Sequence, residues 1–136
     1  MSGRLATLGA IAFGGACGSV ARYVVSGWVQ RARPLAALGS WGPALPWGTF
    51  VVNVTGCFVM GILAGLFQER FVVQPEARAL VLVGVLGGYT TFSSFALETL
   101  RLAQEGSFLP AAANALGSLT LCLAGVWAGD LVSRLV

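Results

Sequence analysis

The sequence predicts an all-α membrane protein with four transmembrane helices per subunit. Two observations carry this reading. Of 136 residues, 57% are hydrophobic and only 10% charged, with no His and with Arg as the only base. A soluble domain would carry roughly a quarter charged residues. The runs 5–21, 34–68, 79–97 and 106–129 each lack any Asp, Glu, Lys or Arg. A spanning helix needs about 20 mostly apolar residues, so almost nothing is left outside the bilayer.

Helix 1 is expected over about 5–30, and no cleavable leader is expected, because Arg22 follows the apolar run without a small-residue cleavage site. Arg31, Arg33 and Pro34 open a Gly/Pro-rich loop. Trp41 and Trp47 bracket the start of helix 2 as interfacial aromatics do, and Pro46 suits its first turn. Helix 2 is expected over about 46–67, closed by Gln68-Glu69-Arg70. Helix 3 follows over about 76–103, and helix 4 over about 110–132. The whole of 1–136 reads as one transmembrane domain. Small residues at spacing four (Gly14/Gly18, Gly61/Gly65, Gly84/Gly88, Gly125/Gly129) predict close helix contacts.

Helix 3 is expected to be broken mid-membrane. Its centre reads Gly87-Gly88-Tyr89-Thr90-Thr91-Phe92-Ser93-Ser94-Phe95, where an anchor would carry Leu, Val and Ala. Irregular backbone and clustered hydroxyls are tolerated at that depth only against protein or a water-filled path. The glycine pair is read as the break, either a packing kink or a source of free carbonyls for a cation.

Four further features bear on function. Asn53, one turn after Thr49, is costly in hydrocarbon without a partner. It either bonds a neighbouring helix or presents N–H groups to an anion. Phe92 and Phe95 share a helix face beside Thr91 and Ser94, and ring edges are electropositive. Arg22 and Glu98 are the charges deepest in predicted helices, candidates for a vestibule or for the interface. Asn114, Ser118, Cys122 and Gly125 make a weakly polar stripe on helix 4.

Loop charge adds a topological expectation. One side collects Arg4, Arg70, Arg78 and Arg134; the other collects Arg31, Arg33 and Arg101. Orientation normally follows an excess of Lys/Arg on the cytoplasmic side, and that excess is nearly absent. An antiparallel dual-topology homodimer follows, with a pathway shared between two copies. Nucleic-acid binding is excluded despite the net charge of +3, because eight scattered arginines form no basic face. Enzyme chemistry is not expected, since no nucleophile–base pair or phosphate loop is present. Cys17, Cys57 and Cys122 read as small packing residues without metal-ligand spacing.

The motifs Gly14-Gly15-x-x-Gly18 with Arg22-Tyr23, Pro46-x-Gly48-Thr49-x-x-x-Asn53-x-x-Gly56, and Gly87 through Phe95 together resemble the CrcB/Fluc fluoride channels, across essentially the whole chain. The resemblance implies a passive fluoride-selective channel in the inner (plasma) membrane that exports fluoride and relieves its toxicity. It also implies an antiparallel homodimer with two pores and one structural sodium ion between subunits. Sodium ligands would be the backbone carbonyls of Gly87 and Thr90. The ion pathway would fall on Asn53, Thr91, Phe92, Ser94, Phe95 and Ser118. A tyrosine common in the family one turn before that serine is Asn114 here. The alternative is an antiporter like the small multidrug-resistance proteins, which needs a deep acidic residue; helix 1 has none.

Overall fold

The computed structural model describes residues 2–32 and 45–136, all of its regular elements helical. The loop expected around Arg33, Pro34 and Trp41 lies outside the described residues. Helix α1 is Ser2–Ala32, α2 is Trp47–Glu69 and α6 is Phe108–Leu135. Between them the third span, Pro75–Gln104, is assembled from pieces. Turn α3 (Pro75–Arg78) runs into a π-helical stretch, Ala79–Leu86, followed by the short turn α4 (Gly87–Tyr89) and helix α5 (Phe92–Gln104). All four spans are long and apolar enough to cross a bilayer.

Pro46 immediately precedes α2, where its missing N–H is harmless, and its carbonyl accepts from the Phe50 N–H at 3.0 Å. Trp47 stands edge-on to Phe50, with centroids 5.7 Å apart. At the far end, the Arg70 guanidinium donates to the Val136 and Arg134 carbonyls at 3.0 and 3.4 Å, fastening the end of α2 to the end of α6.

The spans pair along two seams, α2 against α6 and α1 against the first half of the third span. Both seams rest on the glycine pairs. A Cβ on Gly61 would strike the Val126 carbonyl, and one on Gly129 would strike the Phe58 carbonyl. On the other seam Gly18 sits against Val85 and Tyr89 backbone, and Gly88 against Gly15. Without a hydrophobic drive between helices in lipid, such backbone approach supplies the van der Waals contact that holds them. Little is buried inside the chain; Val52 is fully enclosed, whereas Phe13, Leu119 and Trp127 are exposed. That pattern suits a chain whose solvent is lipid.

The third span departs from expectation in one place. Gly87 and Gly88 remain helical, and the extended residues are Thr90 (φ −81°, ψ 157°) and Thr91 (φ −151°, ψ 114°). Two side chains account for it: Asn53 of α2 holds both backbone groups of Thr91, and Thr91 itself caps the helix that follows. The Thr91 hydroxyl accepts from the Ser94 N–H at 3.2 Å and starts α5 as its N-cap. Gly88 is small for contact with α1, and does not make the bend.

Candidate functional site

The two halves of the site meet at Thr91. In α2, Asn53 is buried, and its Oδ1 accepts from the Thr91 N–H at 2.7 Å. Its Nδ2 donates to the Thr91 carbonyl at 3.0 Å. The amide therefore replaces the backbone partners that an extended residue loses at a helix break. Of the two roles left open for Asn53, the interhelical bond is made. An amide nitrogen carries two N–H donors, so one remains beyond the bond to Thr91.

On one side of Thr91 a vestibule of about 580 Å³ opens between α1, α2 and α5. Arg22, Gln30, Thr49, Ser94 and Glu98 contribute its polar wall. Thr49 donates to Glu98 Oε1 at 2.8 Å. Glu98 Oε2 is also buried and has no hydrogen-bond donor among the described residues. Thr49 was legible only as a hydroxyl one turn before Asn53; its pairing with Glu98 is a tertiary contact.

On the other side lies an inner cavity of about 230 Å³ between α2, α5 and α6. It is lined by Asn53, Thr90, Thr91, Phe92, Phe95 and Ser118, together with Cys57, Leu119 and Cys122. The Phe92 and Phe95 rings are 5.3 Å apart and tilted by 51°. Phe92 is 78% exposed, so its outer face is open at the surface of the chain. Ser118 is buried. Thr91 borders both chambers, and its hydroxyl donates to Ser94 Oγ at 3.1 Å, linking the two polar walls.

The expected residues thus divide. Asn53, Thr91, Phe92, Phe95 and Ser118 gather at the inner cavity; Arg22, Ser94 and Glu98 stand at the vestibule. The helix 4 stripe also divides. Ser118 and Cys122 face the cavity, while Asn114 donates to Thr99 Oγ1 at 2.8 Å and Gly125 packs on Val54 and Phe58. The two cysteines in the cavity wall were not expected there, because their pairing joins residues far apart in sequence.

Gly87 and Thr90 lie at the break. In a continuous helix the Thr91 N–H would bond the Gly87 carbonyl; here Asn53 takes it. The Thr90 carbonyl belongs to an extended residue. The Thr90 hydroxyl turns back to the Leu86 carbonyl at 3.0 Å.

Comparison with known proteins places the chain in a family. The family model described as "CrcB-like protein, Camphor Resistance (CrcB)" matches residues 9–130. A relative from Magnetococcus marinus named "Fluoride-specific ion channel FluC" is 47% identical over 127 residues, covering 93% of this chain and 96% of that protein. One of the same name from Geobacter sulfurreducens is 42% identical, covering 96% of this chain and 98% of the relative. A third, from Methylococcus capsulatus, is 48% identical over 94% of this chain, which spans only 53% of that relative's length. These relatives are named as ion channels and not as enzymes. A multi-pass membrane protein with four apolar spans and a match over nearly its whole length, the chain belongs to the CrcB-like protein family.

Proposed function

We propose that the protein is a passive, fluoride-selective channel of the plasma membrane that lets cytoplasmic fluoride leave the cell and so limits its toxicity. The observation that carries the reading is the position of Thr91, pinned by Asn53, between a charged vestibule and an uncharged inner cavity. Arg22 gives the vestibule a cation that attracts anions, with the Glu98 carboxylate of the same wall held by Thr49. Beyond Thr91 the lining offers hydroxyls, the second Asn53 N–H and phenyl edges, but no Arg. Dipoles bind an anion well enough to replace some of its water and weakly enough to release it, as conduction requires. The relatives' shared name supports fluoride as the anion.

The working unit is an antiparallel, dual-topology homodimer with its third span broken mid-membrane and two pores at the interface. Two observations support it: the near-even distribution of Arg over the two sides, and the open face of Phe92 beside the cavity. A second inverted copy would close that face and give each subunit an equivalent pathway.

A structural sodium ion between the subunits completes the proposal. The residues present fit it, because the Gly87 carbonyl is released from its helical donor and Thr90 is extended. Carbonyl oxygens are hard donors suited to a hard cation. The ion would offset the partial charges of these carbonyls where two breaks cross; it takes no part in moving the anion.

The test is purified protein reconstituted in liposomes under an outward gradient. Fluoride should discharge without a pH gradient, while chloride is retained. Chloride efflux at a comparable rate would overturn the assignment.

A further inference from the structure

The inner cavity holds a second constellation, which the anion pathway does not use. Cys57 lies one turn beyond Asn53 on α2, and Cys122 one turn beyond Ser118 on α6. They form the next layer down the same wall, and both line the cavity. Both thiols are free, and they stand on facing helices in the wall of one cavity. Gly125 on α6 brings the helices together there; a Cβ on it would stand 3.8 Å from Cys57 Cβ.

We propose that Cys57 and Cys122 form a two-coordinate thiolate site for a soft d¹⁰ cation, of the class of mercuric, cuprous or silver ion. The ligand set selects the cation. No group of three or more His, Cys, Asp or Glu is assembled among the described residues, so tetrahedral zinc lacks its ligands. Two soft sulfurs on facing helices satisfy a cation that accepts linear coordination. Binding forms two metal–sulfur bonds and releases both thiol protons to water, with no change in oxidation state. A cation held there stands in the wall of a cavity of about 230 Å³, next to Asn53 and Ser118, and obstructs it. The metal site stands without the channel reading; only the obstruction of flux rests on it.

The test uses full-length protein in a Cys17→Ser background, which leaves only this pair of thiols, titrated with mercuric chloride. Free thiols and the ultraviolet thiolate-to-metal absorption are followed together. About one mercuric ion should consume both thiols, whereas adding Cys57→Ser or Cys122→Ser leaves about one thiol per ion. Uptake of a separate mercuric ion by each thiol in the Cys17→Ser protein would overturn the site. The same proteins in liposomes are compared with their own untreated fluoride efflux. Mercuric ion should slow the Cys17→Ser protein roughly tenfold and leave a protein with all three cysteines replaced by serine at its untreated rate. Shared binding without slowing upholds the metal site and counts against the inner cavity as the route of the anion.

Discussion

Asn53 holds Thr91 by both of its backbone groups, accepting from the N–H at 2.7 Å and donating to the carbonyl at 3.0 Å. One side chain on α2 therefore sets the position at which the third span stops being a helix and resumes as one. The residue so held is also the boundary between the vestibule and the inner cavity.

Replacing Asn53 by Ala leaves both backbone groups of Thr91 without these partners. Each buried group left unpaired costs about 1–3 kcal/mol, and interhelical bonds in membranes average nearer 0.6. A loss of roughly 1–3 kcal/mol is expected, read as a lower melting temperature in detergent. Fluoride efflux should fall as well, because the amide that fixes the boundary between the two chambers is lost. Unchanged efflux with a lowered melting temperature would confine Asn53 to a structural role.

Thr91 separates capping from shape. The Thr91→Ser variant keeps the hydroxyl that accepts from Ser94 N–H, whereas Thr91→Val keeps the volume and loses the cap. The valine variant should be less stable by about 1 kcal/mol and the serine variant close to the parent, as thermal melts would register. Equal melting of the two would mean that another group starts α5.

Phe92 and Phe95 face the inner cavity as a tilted pair. Substituting either with Ile removes the aromatic edge while keeping an apolar side chain. Fluoride efflux should fall for each variant while size-exclusion elution of the protein stays where it was. Normal efflux in both variants would refute an aromatic role in the pathway.

Two glycines predict opposite outcomes for one substitution. A Cβ on Gly61 meets the Val126 carbonyl, whereas a Cβ on Gly9 meets nothing within 4 Å. Gly61→Ala should destabilise the α2–α6 seam by about 1–3 kcal/mol, as overpacking does. Gly9→Ala should be neutral or slightly stabilising, because Ala is the better helix former. Comparable melting of both proteins would show that the seam yields more easily than its backbone contact suggests.

The sequence alone determined the solvent, the number of spans and the neighbourhood of the site. Long charge-free runs can satisfy their backbone only as helices in a bilayer, so the class was legible without any long-range contact. The hydroxyls around Phe92 and Phe95 were legible because polar groups there are costly without a function. Tertiary structure decided what those groups do. The break falls at Thr90–Thr91 and not at the glycines, because it is set by a side chain on another helix. Thr49 meets Glu98, Asn114 turns to Thr99, and Cys57 and Cys122 come to line one cavity across a seam made by glycines. Each is a contact between helices, and helical spacing specifies which residues share a face, not which face meets which.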